Sequence, residues 1–338
     1  MKRLLITALA LGALASACKA PMNVVLEPTE MLYGDDVRTG IPFSKDPTVI
    51  RLGDTYYMYY SIPRYSDDRR PEQTAYLEDD WNAAVATSTD LIHWTRVGDL
   101  DLRDSGGERI WGAVAPCVKV FDGVIHMFYQ RKWAQAHGNN NIWHALSEDG
   151  IRFVNTCDEP IFVPQTDWSI DRSIDAEVYR VKDKLILLFA TRDKSATVQM
   201  LGMAEAPYRS DYGPDKWTLL SVDGPLLKPE YDWEQHCIEA PTVIKYKGLW
   251  YMFYAGAYNH ELQQIGLAVS DDGYHYTRVE GEGLVFPAGE AGTWNQAESG
   301  HPGVFRDRDG RTYLFFQGKA SLKANYRLSA CRLQFRKQ

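Results

Sequence analysis

Apolar and polar positions alternate along this chain over short runs, and the runs recur in a fixed order. One block appears five times: a leading residue, followed in four copies by Pro, then a β-branched stretch, a turn at Gly or Asp, and an aliphatic or aromatic-rich strand. The copies open at Asp46-Pro47-Thr48-Val49-Ile50, Ala115-Pro116-Cys117-Val118, Asp175-Ala176-Glu177-Val178, Ala240-Pro241-Thr242-Val243-Ile244 and His301-Pro302-Gly303-Val304-Phe305. They lead into Tyr56–Tyr60, His126–Tyr129, Leu185–Phe189, Trp250–Tyr254 and Tyr313–Phe316. The copies are spaced by roughly 60 to 70 residues, a period of the kind that marks a repeat fold.

A second block follows most copies. It reads Ser88-Thr89-Asp90-Leu91-Ile92-His93-Trp94, then Ser147-Glu148-Asp149-Gly150-Ile151-Arg152-Phe153, then Ser270-Asp271-Asp272-Gly273-Tyr274-His275-Tyr276. An acidic residue with Gly ahead of an aromatic is hairpin-turn chemistry. Each repeat therefore predicts about four short strands, which is one propeller blade. No long, capped pattern of period 3.6 follows the N-terminus; Trp81–Ala86 comes nearest and is short. A β-sandwich would also be rich in strands, but it would not repeat its strand start at near-constant spacing. The expected fold is all-β, a five-bladed β-propeller over residues 39–338 with no room for a second domain.

The N-terminus reads as a targeting segment. Lys2 and Arg3 precede an apolar run, Leu4–Leu14, that is too short to span a bilayer as a stable anchor. The run ends at Ala15-Ser16-Ala17-Cys18, which resembles a bacterial lipoprotein cleavage box. Residues 1–18 are therefore expected to be a signal peptide ending at a lipidated Cys18, with 19–38 a linker. An ordinary secretory cut is the competing reading. Either places the mature protein outside the cytoplasm, and the first in the cell envelope, touching membrane only through its lipid.

A net charge of −8 argues against nucleic acid as a partner. The 10 Trp, 20 Tyr and 12 Phe suit sheets and also suit stacking on sugar rings. Cys117, Cys157, Cys237 and Cys331 contain no CxxC pair, so a thiolate zinc site is not expected. They are read as mostly buried and free.

In a propeller the innermost strands line a central channel, so equivalent positions of the repeat become neighbours. The column before Pro holds Asp46, Ala115, Asp175, Ala240 and His301, with Glu239 one residue ahead of Ala240. A lone Asp before Pro is ordinarily a turn residue. Three acids converging on one mouth are different, because they repel one another and raise at least one pKa. Such a cluster suits glycosidic bond cleavage, which needs one protonated and one ionised carboxyl group. Glu177 is read as structural, pointed away from Asp175 by strand alternation.

The blocks Lys45-Asp46-Pro47, Ser173-Ile174-Asp175 and Ile238-Glu239-Ala240-Pro241 resemble those of glycoside hydrolase family 43, as do the strands Tyr56–Tyr60 and Trp250–Tyr254. The resemblance spans residues 40–335. It implies an inverting mechanism with Asp46 as general base, Asp175 tuning pKa and orientation, and Glu239 as general acid. It also implies α-L-arabinofuranosyl or β-D-xylosyl substrates, and a calcium ion or water held on the axis with help from His301. No organic cofactor is implied. Substrate contacts are expected from Trp111, His137, Arg192, Trp294 and His301. The polar insertion 63–80 reads as a rim loop favouring exo action. Three rivals stand: an anhydro-L-galactosidase-like propeller with His301 as the acid, a retaining fructosidase-like propeller with Asp46 as nucleophile, and a non-catalytic carbohydrate-binding surface lipoprotein.

Overall fold

In this computed structural model, residues 21–70, 81–132, 139–323 and 325–337 are described. Strand β1 (Asn23–Tyr33) comes first. Blade I follows with β2 (Lys45–Leu52), β3 (Thr55–Ile62), β4 (Asn82–Ser88) and β5 (Thr95–Asp99). Blade II holds β6 (Asp101–Arg103), β7 (Val114–Phe121), β8 (Val124–Lys132), β9 (Asn140–Ser147) and β10 (Arg152–Asn155). Blade III is β11 (Ile174–Val181), β12 (Lys184–Arg192), β13 (Gln199–Pro207) and β14 (Thr218–Leu219). Blade IV is β15 (Ile238–Tyr246), β16 (Leu249–Gly256), β17 (Gln264–Ser270) and β18 (Thr277–Arg278), with β19 (Leu284–Phe286) also on β17. Blade V is β20 (Glu298–Arg306), β21 (Thr312–Lys319) and β22 (Arg327–Arg336), completed by β1. The protein is a five-bladed β-propeller.

The stretch 19–38, expected as a linker, instead contains the outermost strand of blade V. β1 pairs antiparallel with β22, from Asn23 opposite Arg336 to Tyr33 opposite Leu328, with a register shift after Pro28. Proline has no N–H for a ladder and is tolerated on edge strands and at bulges. Its presence hides the strand in the sequence. The short candidate Trp81–Ala86 is no helix: Asn82 onward is β4, all but one of its residues buried.

The second block behaves as its residues dictate. In its three copies one Asp oxygen accepts two successive backbone N–H groups: Asp90 from Ile92 and His93, Asp149 from Ile151 and Arg152, Asp272 from Tyr274 and His275. The turn position has a left-handed backbone, which Gly150 (φ 78°) and Gly273 (φ 84°) adopt without penalty and Leu91 (φ 67°) adopts at some cost. Between blades lie the apolar clusters, with Tyr59, Phe128, Phe189, Phe253 and Phe315 from the second strands fully buried. Cys117, Cys237 and Cys331 are buried, and the four cysteines among the described residues are free.

Candidate active site

The mouth of the channel is built by one backbone device used five times. Asp46, Ala115, Asp175, Ala240 and His301 all have left-handed backbones, with φ of 55°, 47°, 51°, 49° and 43°. At each, the pairing of the inner strand with its neighbour slips, as between Lys45 and Thr48 on β2. A bulge of this kind re-aims a side chain and frees a backbone N–H. Non-glycine residues with such φ cost energy and persist where the surroundings hold them. Asp and His tolerate the conformation better than Ala.

Part of that holding comes from the preceding blade. Ser61 Oγ accepts the Ala115 N–H (2.8 Å), Gln130 Oε1 that of Asp175 (2.9 Å), and Gln317 Oε1 that of Asp46 (3.0 Å). Ser61, Gln130 and Gln317 stand opposite the first residue of each bulge, where blades III and IV carry Ala190 and Ala255. These amides and hydroxyls escape a search for catalytic residues. The signal was their equivalent place in the repeat.

The four axial residues named from sequence come together. His301 lies between two carboxylates: Nε2 is 3.0 Å from Glu239 Oε1, and Nδ1 is 2.9 Å from Asp46 Oδ1, off the line of a good hydrogen bond. Asp175, Glu239 and His301 each bring a ligand atom within 4.8 Å of the others. Glu239 is further held by amides the sequence reading missed. Gln263 Nε2 donates to its Oε1 (2.8 Å), Asn259 Nδ2 more distantly (3.4 Å), and Gln199 Nε2 donates to Oε2. Below the carboxylates a small space of about 40 Å³, lined by all five inner strands, has room for a water.

Burial pushes every acid here toward its neutral form, and the neighbours decide the outcome. For Asp46, burial is outweighed by the His301 and Lys45 cations, which hold it well below the usual carboxylate range. Asp175 is pushed up to about 7 by burial and by the Glu239 and Asp46 charges, against the pull of His301. Glu239 is held low, because its bonds to His301 and that cation's field overcome burial. His301, despite burial, is raised well above its ordinary value by the two carboxylates. Asp175 Oδ2 is buried with no hydrogen-bond partner. Below about pH 7 the site at rest thus holds an ionised Asp46, a protonated Asp175 and an imidazolium. Within the cluster it is Asp175 whose pKa is raised, in part by the Glu239 charge, while that of Glu239 is lowered.

The other expected contacts divide. Arg192 reaches Glu239 indirectly: its Nε donates to Gln199 Oε1 (3.0 Å), and its guanidinium packs over Tyr258. Arg172, missed from sequence, sits beside it, with Nε buried and unbonded. Its pKa is lowered by burial and by Arg192, against the attraction of Asp175 and Glu239. Trp111 lines a cleft next to Asp46, but Arg109 covers one face of its ring at 4.0 Å. Trp294 stacks on Phe316 (27° between planes) within the packing of blade V and is not brought against the carboxylates. His137 and Cys18 lie outside the described residues, as do 71–80 of the insertion.

Calcium prefers six to eight oxygen ligands. Both nitrogens of His301 face carboxylates, so neither has a lone pair to offer. The residues present do not fit an ion ligated directly by His301, and no step below uses one.

Over residues 40–334 the chain matches the profile described as Glycosyl hydrolases family 43. The chain belongs to that family. It is a glycoside hydrolase, its substrate a polysaccharide or an oligosaccharide derived from one. Among solved structures it is similar to a thermostable family-43 glycoside hydrolase, at 23% identity and TM-score 0.66, over 90% of this chain and 93% of that one. It is also similar to an alpha-L-arabinofuranosidase from Lactobacillus brevis, at 16% identity and TM-score 0.58, over 88% and 92%. A third is an exo-1,5-alpha-L-arabinanase from a bovine ruminal metagenomic library, at 15% identity and TM-score 0.60, over 90% and 97%. No curated protein matches.

Proposed function

We propose that this family 43 enzyme is an inverting, exo-acting hydrolase that releases α-L-arabinofuranosyl or β-D-xylosyl ends from polysaccharide side chains. The observation that carries the reading is the spacing of Asp46 and Glu239. They stand on either side of one imidazole, with contacts of 2.9 and 3.0 Å. That puts their nearest oxygens on the order of 8 Å apart at most, compatible with the roughly 6.5–9.5 Å an inverting pair needs to admit a water.

In this mechanism Asp46, ionised throughout the working range, takes the proton of the attacking water. Glu239 protonates the leaving oxygen. At rest His301 holds Glu239 ionised, so substrate entry that parts the two removes the main lowering influence and leaves burial, which raises its pKa. Asp175 carries the neighbouring proton and keeps the pair's charge down. His301 as the acid is disfavoured, since both its nitrogens already face carboxylates. Exo action is supported by the rim at the first blade, where Pro63 and Ser66 are tied to Arg38. The names of the arabinan-acting neighbours support the sugar assignment.

The test is a screen of para-nitrophenyl α-L-arabinofuranoside and β-D-xyloside, with Asp46→Asn and Glu239→Gln alongside and the anomer of the first product followed by NMR. Release that both variants abolish, with inversion, is expected. Retention, or activity surviving in both variants, would refute the mechanism.

We also infer that the chain is exported with a diacylglyceryl group on Cys18. Intact mass of protein from the membrane fraction should begin at a lipidated Cys18. An unmodified mature N-terminus would rule this out.

A further inference from the structure

The protein is acidic overall, yet the cleft opening beside Asp46 is not. This cleft, of about 580 Å³, is lined by Lys45, Arg64, Arg109, Arg131 and Lys132 from the first two blades. Asp46 is its one acidic lining residue among the described residues. The volume is ordinary for a small-molecule site. The concentration of one sign of charge in a molecule of net charge −8 is not.

None of the five cations makes a salt bridge to a carboxylate of the described residues. Lys45, Arg109 and Arg131 are instead placed against aromatic rings, and Arg131 also against a backbone carbonyl. Lys45 lies over Tyr326 at 4.9 Å, and Arg109 over Trp111 at 4.0 Å. Arg131 lies over Trp143 at 5.3 Å, while its Nε donates to Trp111 O (2.9 Å). These contacts orient the guanidinium groups without neutralising them. Cations gathered in a concave site repel one another, and such a cleft focuses its field on an incoming anion. Guanidinium forks match carboxylate and sulfate geometry. Trp81 and Trp111 also line the cleft, but one face of Trp111 is already taken by Arg109.

We propose that the substrate is an anionic glycan, carrying carboxylates or sulfate esters on residues near the bond that is cut. The inference rests on the glycan-hydrolase reading and names the substrate class of the same site. The cleft cations bind the acidic substituent and place the neighbouring linkage against Asp46. Their binding energy comes from charges that no salt bridge among the described residues neutralises.

Isothermal titration of the Glu239→Gln protein tests it. The probes are neutral xylo- and arabino-oligosaccharides, glucuronate-branched xylo-oligosaccharides, oligogalacturonates and sulfated galactan oligosaccharides, each at low and high salt. At least one acidic set should bind about tenfold or more tighter than the neutral ones, an advantage that shrinks as salt rises. Preference for the uronate or for the sulfated set identifies the source of the charge. Arg109→Gln combined with Lys132→Gln should bring the ratio of acidic to neutral affinity close to one. Equal affinity for neutral and acidic probes, or no binding by any acidic probe, overturns the proposal. Hydrolysis of neutral aryl glycosides by the unaltered enzyme is followed in parallel. If it persists while the acidic preference fails, only this inference falls and the hydrolase reading stands.

Discussion

Asp175 and Glu177 are two residues apart on β11, both on the propeller axis and both buried, at 6% and 3% exposure. Their surroundings differ completely. Glu177 accepts hydrogen bonds from Lys119 Nζ (3.0 Å), the Val243 N–H (2.9 Å) and Cys117 Sγ (3.3 Å), joining blades II, III and IV. Asp175 keeps an unbonded oxygen, faces two other acids, and has its pKa pushed up to about 7. Glu177, its bonds all made to the backbone and to Lys119, acts as a strut, whereas Asp175, left short of partners beside like charges, is available for chemistry. Between these two residues the distinction lies in saturation and in the neighbouring charges, not in burial; Glu239, bonded on both oxygens, is marked instead by its contact with His301.

The largest effect that would test this contrast is on turnover. Glu239→Gln and Asp46→Asn should each lower kcat per folded molecule by about 10²–10⁴-fold, as expected for proton-transfer groups. Near-normal kcat in either would place the chemistry elsewhere. Glu177→Gln should do the reverse, leaving Lys119 without its partner at a cost on the order of 3 kcal/mol of stability, with kcat per folded molecule within a few-fold of the parent. Denaturant unfolding with active-site titration separates the two outcomes, and an intact midpoint with lost turnover would erase the contrast.

A pH profile sharpens the comparison further. Asp175 has a raised folded-state pKa, so the folded protein holds a proton that the unfolded chain gives up at lower pH. Its contribution to stability is present below the unfolded value and is lost as pH rises through about 7. kcat/KM should fall over the same window as the coupled acids lose their shared proton, while Asp46 stays ionised on the acid side. Asp175→Asn should remove or displace that alkaline limb; an unmoved limb would assign it to another group. The smallest effect is expected at Ser61→Ala, which unseats the bulge N–H of Ala115 for about 1 kcal/mol and, through its hydrogen bond to Asp46, changes turnover by no more than a few-fold.

Much of this was legible because the repeat is. Five copies of one strand start predict the blades, and the residue column ahead of Pro predicts that Asp46, Asp175, Glu239 and His301 meet. What the sequence concealed has physical causes. The expectation that strand alternation turns Glu177 away from Asp175 misapplied the rule: residues two apart on a strand share a face, and both line the axis. Glu177 is structural all the same, for its hydrogen bonds and not for its direction. Gln199, Asn259, Gln263 and Arg172 come from outer strands and loops that lie outside the repeated column. Trp294 has the chemistry of a sugar platform and the surroundings of a core residue. β1 was disguised by Pro28, and its partner is at the other end of the chain.

That last pairing also gives the molecule a direction. β20 runs away from the mouth, β21 returns, β22 runs away again, and β1, antiparallel to β22, therefore begins at the far face: Asn23 stands opposite Arg336, beyond the end where Leu333 meets Thr312. Whatever holds this protein by its N-terminus holds it by the base, like a cup by its foot. The opening with its carboxylates then faces outward, toward whatever approaches from solution.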